Sequence, residues 1–382
     1  MSKSVSDGRN RSQMRLCPFT KEVLGESVQM NHSADETRAS LTANLRYFTK
    51  WSLIALLIGC IGGLIGSLFS MGVSFATNYR LAHPWMLYFL PVSGILIVWL
   101  YHTFHEEGNR GTNMVIDAIS STEKVTLATG PLIFVSTVLT HIAGGSSGRE
   151  GAALQLGGSL GNLFGNAIHL DEKDKKIAIM CGMSAVFSAL FGTPVAAAIF
   201  PLEVISIGVL YYAALVPCIF SSFIGVGIAR YLGIAGEHFT VLSIPAISVS
   251  SVGWIIFLSA LCAGVSIVFC LMLHGAEHTY RKIFPNPYVR ILAASAIFIL
   301  LTLLIGTRDY CGSSMPLIER SMEGEIGYEA FFLKMLFTAI ALGAGFKGGE
   351  IVPTLCVGAA FGCAFGQITG FAPSLCAACS MA

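Results

Sequence analysis

The amino-acid sequence predicts an all-α membrane protein, a polytopic bundle in which several helices are broken or re-enter from one side. Three observations predict it. Of 382 residues, 54% are hydrophobic and only 12% are charged, with a mean hydropathy of +0.71, too apolar for a soluble surface. Five apolar windows, at 51–76, 84–104, 209–229, 248–273 and 289–306, are each long enough to cross about 30 Å of hydrocarbon as a helix. Five more, at 131–144, 151–168, 177–200, 331–346 and 351–371, are shorter or interrupted by Gly and Pro. Such segments reach a buried site from one side of a membrane.

Taken in order, residues 1–50 carry eight Lys or Arg among acidic and polar residues, with no apolar core. They read as a cytoplasmic tail of a multi-pass inner-membrane protein, not as a cleaved signal. The membrane part divides into a first repeat at 51–235 and a second at 236–382. Two Gly ladders carry that division: Gly157, Gly161 and Gly165 recur as Gly358, Gly362 and Gly366. A Gly every fourth residue lines one helix face and lets a second helix approach closely. After its ladder the first copy continues through another apolar segment, whereas the second reaches 375–382 and stops. The expectation is therefore a second repeat that is incomplete at its C-terminal end.

Net charge is +1, which gives no nucleic-acid surface. The eleven cysteines show no pattern beyond Cys376 and Cys379, and free buried thiols are expected. His102, His105, His141 and His169 have no metal-ligand spacing and read as interface residues, so neither metal nor cofactor is expected. The run Asp171 to Lys176 reads as a solvated loop.

The chemistry concentrates in two turns. Gly148-Arg149-Glu150-Gly151 opens the first ladder helix. A new helix presents unpaired N–H groups and the positive end of its dipole, which together hold an anion. Glu150 is itself an anion and can occupy the place its own helix creates. Once protonated it loses that attraction and swings aside, so it can exchange an anion for a proton. The alternative is a structural Arg149–Glu150 ion pair, but ionisable residues inside membranes are costly and usually functional. Gly349-Glu350-Ile351-Val352-Pro353 has the same parts, with Lys347 as the nearby cation and Pro at the start of a helix. Gly111, Thr112, Asn113 and Met114 form a third turn of small donors before an apolar helix; Thr112 or Asn113 could equally be an ordinary helix cap.

In combination these motifs resemble the CLC anion channels and transporters. Gly148-Arg149-Glu150-Gly151 is similar to their Gly-Lys/Arg-Glu-Gly motif. The stretch from Gly348 to Pro353 is similar to Gly-Gly-x-Phe-x-Pro, Gly111 to Val115 to Gly-Ser-Gly-Ile-Pro, and Phe200 to Val204 to Phe-x-x-Glu. The resemblance implies a CLC-like inverted-repeat helical bundle, homodimeric in the lipid bilayer, with one anion path per subunit. It also implies site roles. Glu150 is the gating, proton-carrying carboxylate and Glu350 a second carboxylate in the path. Gly111, Thr112, Asn113, Met114, Gly148, Arg149, Gly151, Gly349, Ile351 and Val352 border the anion.

Departures from the chloride pattern narrow the ion. Glu350 stands where chloride members are apolar, and the first motif lacks its second Gly and its Pro. Val204 stands where chloride/proton exchangers carry an internal Glu. These changes are similar to the fluoride-exporting branch, although Val352 replaces that branch's Thr and Ala152 follows the gate. The expected function is proton-coupled fluoride export, with chloride exchange or a chloride channel of the same fold as the alternative. Fluoride holds its water tightly, so neutral donors must replace strong hydrogen bonds when it is stripped. A remote alternative is an intramembrane serine protease, because Gly145-Ser146-Ser147-Gly148 fits Gly-x-Ser-Gly, with His274 or His278 as the base.

Overall fold

The computed structural model describes residues 18–108, 111, 114–116, 126–204, 211–236, 238–242, 244–246 and 248–381. Among the described residues its regular elements are helices. The chain forms two compact units, 1–53 and 54–382, and the site lies in the second. The helices are α1 (Pro18–Ala82), α2 (Leu90–Thr103), preceded by a 3-10 turn, α3 (Thr129–Ile142), α4 (Glu150–Ala167), α5 (Glu172–Phe191), α6 (Pro194–Val204) and α7 (Tyr212–Tyr231). They continue as α8 (Val249–Ile283), α9 (Pro287–Ile305), α10 (Met315–Glu323), α11 (Ala330–Ala344), α12 (Ile351–Thr369) and α13 (Pro373–Ser380). Among the described residues, six stretches are long and apolar enough to cross a membrane: Asn44–Ala82, Pro84–Thr103, Tyr212–Tyr231, Val249–Ile283, Pro287–Ile305 and Ile351–Thr369. The five long apolar windows fall in the first five of these apart from at most three residues at an end, of which 209 and 210 lie outside the described residues. The last was expected to be interrupted, yet it forms one 19-residue helix, because its Pro353 falls in the first turn, where no helical N–H is lost.

One local reading holds and another changes. The window 177–200, expected to be interrupted by Gly and Pro, divides into α5 and α6, because Gly192 takes a left-handed φ of 73° that ends α5 and Pro194 opens the next helix. The charged run from Asp171 is not a loop but the capped start of α5. Asp171 accepts a hydrogen bond from the Asp174 N–H at 2.8 Å, and Glu172 and Asp174 lie in the first turn, where acidic groups complement the helix dipole. Ten described cysteines are free, Cys376 and Cys379 among them.

The two Gly ladders do equivalent work. A Cβ on Gly157 would strike the Gly182 carbonyl, and one on Gly161 the Ala178 carbonyl, so α4 and α5 touch backbone to backbone. In the second half a Cβ on Gly358 would strike the Ser380 carbonyl and one on Gly362 the Cys376 carbonyl, which packs α12 on α13 in the same manner. Ala152, Ala153 and Leu156 of α4 pack with Phe69, Ile133 and Val186. Val352, Cys356 and Ala359 of α12 belong to a larger core with Leu90, Phe298 and Phe337.

Candidate functional site: the meeting point of two helix N-termini

The turns before α4 and α12 are joined. The Gly148 N–H donates to the Gly349 carbonyl at 2.6 Å and the Gly349 N–H to the Gly148 carbonyl at 2.7 Å, an isolated antiparallel bridge. The bridge brings the two similar motifs together and fixes their register. The glycines are required by contact. A Cβ on Gly148 would collide with the Glu150 carboxylate and lie 2.9 Å from Pro353 Cδ, while one on Gly349 would lie 2.7 Å from the Gly151 nitrogen.

Glu150 is the first residue of α4 and is 1% exposed. Its Oε2 accepts from the Arg149 N–H at 3.0 Å and from the Val352 N–H at 3.2 Å. The carboxylate therefore satisfies donors at the start of two helices, one from each half of the chain. Oε1 has no hydrogen-bond partner. Burying a carboxylate is costly unless donors and dipoles compensate it; two helix N-termini supply both. Electrostatically, the space between them accepts one negative charge.

Glu350, by contrast, has an exposed side chain that does not cap α12; its carbonyl receives the Thr354 N–H and hydroxyl. Lys347 does not reach it. Its ammonium stands 4.3 Å from the Tyr101 ring centroid, a cation–π contact. Gly151, Gly349 and Val352 are buried beside Glu150, while Arg149 and Ile351 are partly exposed. The Arg149 guanidinium lies 5.8 Å from the Phe191 ring. Thr112 and Asn113 fall outside the described residues. Gly111 is in a turn whose carbonyl accepts from the Met114 N–H at 3.2 Å, and Met114 is buried.

The structure adds residues that the motifs did not. Gln155 is 1% exposed; its Nε2 donates to the Gly151 carbonyl at 3.3 Å, its Oε1 is unpartnered, and a Cβ on Gly111 would sit 3.8 Å from Nε2. Ser146 Oγ lies 3.0 Å from Thr338 Oγ1, tying the α4 turn to α11. His141, read as an interface residue, is 1% exposed instead, with Nδ1 held 2.8 Å from the Thr137 carbonyl. Lys334, wholly buried in α11, could have been found as a lone cation in an apolar run. For the serine-protease alternative the geometry pairs neither serine with a base: Ser146 bonds Thr338, Ser147 Oγ has no partner, and the exposed His274 bonds the Cys270 carbonyl.

Comparison with known proteins now decides the family. Residues 93–382 match the family described as Voltage gated chloride channel. The chain belongs to this family. It is thus a multi-pass membrane protein with the CLC fold. A chloride/fluoride channel protein of Pseudomonas syringae pv. tomato is 30% identical over 325 residues, covering 83% of this chain and 72% of that protein. The H(+)/Cl(-) exchange transporter ClcA of Vibrio cholerae is 24% identical over 339 residues, covering 82% and 72%. Among solved structures, a CLC-type fluoride/proton antiporter superposes with a TM-score of 0.82 at 30% identity, covering 87% of this chain and 85% of that one. A slow cyanobacterial Cl-/H+ antiporter superposes at 0.72 with 19% identity, over 87% and 84%, a likeness of fold.

Proposed function

We propose that this CLC protein exchanges fluoride for protons across the membrane, with Glu150 as the group that binds in place of the anion and carries the proton. The observation that carries the reading is the Glu150 carboxylate, buried and bonded to N–H groups of both helix starts. A group held only by donors competes with any small anion for the same donors. Ionised, Glu150 keeps the site; protonated, it loses most of its attraction to the two dipoles and leaves the donors to the ion. Each cycle thus trades one charge for another, and an inward proton gradient expels the anion.

Fluoride is favoured over chloride by Glu350 at the start of α12 and by likeness to relatives whose names include fluoride. Under this reading Gly111, Thr112, Asn113 and Met114 line the path together with Gly148, Arg149, Gly151, Gly349, Ile351 and Val352. Glu350 is a second carboxylate near its aqueous end. Two copies associate in the plasma membrane, each with its own path and a cytoplasmic N-terminus. Chloride exchange is the second reading, favoured by the apolar Val352 beside the gate.

The test is ion flux from proteoliposomes carrying the full chain, with fluoride and chloride measured in parallel under an imposed proton gradient. Fluoride movement that dissipates the gradient, with chloride excluded, is expected. Chloride movement at an equal or greater rate would overturn the ion assignment.

A further inference from the structure

A cavity of about 360 Å³ lies on the face where α1, α3 and α9 end, lined by Arg80, Arg308 and Arg320 together with Asp309 and Glu319, with Gly144 in its wall. Asp309 is already paired to Arg320 at 2.9 Å, and Glu319 is exposed. Arg80 is 8% exposed and its Nε has no hydrogen-bond partner. Its side chain is clamped between two glycine turns. A Cβ on Gly312 would lie 3.0 Å from Arg80 Nε and Nη2, and one on Gly144 3.2 Å from its Cδ. Both glycines have left-handed φ, 67° and 85°, which other residues rarely adopt, and the Gly312 N–H donates to the Gly144 carbonyl at 2.8 Å. Behind the same wall Lys334 donates to the carbonyls of Tyr310 and Gly312, both at 3.3 Å.

Arg80 is thus buried in the cavity wall and Lys334 is buried nearby without lining it, and neither has a carboxylate within ion-pair distance among the described residues. A buried charge without a counter-charge is costly, and here the cavity is where a counter-charge can enter. Gly144 lies in the loop from Ala143 to Arg149 that leads into Glu150, so one wall of the cavity belongs to the loop that carries the gate. At about 30 Å³ per water, its volume takes roughly a dozen waters, enough for a small anion that still holds part of its hydration shell.

We propose that this cavity is an anion site on the outer side of Glu150, with Arg80 as its principal ligand, which a small monovalent anion occupies partly hydrated after it has passed the gate. It raises the local anion concentration through the cation surplus of the wall. The inference rests on the transport reading for its purpose, but its binding can be read without transport.

The test introduces Ser313→Cys in the cavity wall and compares its reaction with the anionic thiol reagent methanethiosulfonate ethylsulfonate and a cationic trimethylammonium analogue. Protein with native Ser313 supplies the background from the other cysteines. Relative to a free thiol, the anionic reagent is expected to be favoured by about tenfold, the scale of one to two unit charges at this range in a partly aqueous cavity. Fluoride or chloride should slow the anionic reagent, and Arg80→Gln should remove most of the preference. If Arg80→Gln fails to fold, the exposed Arg308→Gln should still lower the preference several-fold. A rate ratio equal to that of a free thiol, one indifferent to both arginines, or no labelling at all would overturn the site. Labelling slowed by halide in a protein that moves neither halide would keep the site and overturn the transport reading; halide flux with a flat ratio would do the reverse.

Discussion

Replacing Glu150 with Gln should separate proton movement from anion movement. The amide keeps the shape of the carboxyl group but holds no titrating proton and no charge. Glu150 accepts two backbone hydrogen bonds, from Arg149 at 3.0 Å and Val352 at 3.2 Å. A hydrogen bond to a charged group is worth about 1.5–3 kcal/mol and a neutral one about 0.5–1.5, so two bonds lose roughly 2–3 kcal/mol. The two helix N-termini add up to about 1 kcal/mol more. A total near 3 kcal/mol weakens the gate's hold on its site about a hundredfold. In proteoliposomes loaded with fluoride and followed by fluoride and pH electrodes together, Glu150→Gln should bind the anion more tightly and pass it without protons. Movement of protons in the wild-type ratio by the Gln variant would refute the gate.

Four further outcomes follow from the same geometry. Gly161→Leu should prevent folding, seen as loss of a monodisperse peak in detergent, because its Cβ alone meets the Ala178 carbonyl and overpacking of this kind costs at least about 1–3 kcal/mol. Val352→Thr places a hydroxyl donor beside the gate and should raise the ratio of fluoride to chloride flux; an unchanged or lower ratio argues against a donor-lined fluoride path. Glu350→Gln should alter ion preference while proton coupling persists, and loss of coupling would move the proton-carrying role away from Glu150 alone. Ser146→Ala removes the bond to Thr338, worth about 1 kcal/mol, and should lower thermal stability by a few degrees without creating or abolishing any proteolysis.

How far the sequence could be read depended on whether a feature announces itself locally. Gly157, Gly161 and Gly165 stand at intervals of four, so a helix must place them on one face, and the contact of α4 with α5 follows from spacing alone. The Glu150 carboxylate was legible as a lone acid opening an apolar helix. Its acceptor role toward Val352, 202 residues away, was not, since no periodicity encodes a partner in the other half. Arg80 and Lys334 were visible as residues but not as neighbours of one glycine turn, because α1 and α11 each bring one of them to Gly312 and each looks ordinary in its own segment. The cap of α5 was misread for a related reason: a charged run looks like a solvated loop until its first Asp is seen bonding the next turn.

The two Glu-led turns are the most instructive case, because near-identical motifs end in different places. Sequence symmetry suggests two carboxylates sharing one cavity. The bridge between Gly148 and Gly349 brings the two helix starts so close that the donors of both converge on one position. A second buried carboxylate there would meet the first without a donor left over and would be repelled by it. Glu150 takes the position and satisfies the start of α12 as well as its own helix; Glu350, whose helix is already served, turns outward to exposure. The two turns thus converge on a position suited to a single negative charge, and under the proposed function that single occupancy is what makes a carboxylate and a free anion mutually exclusive there.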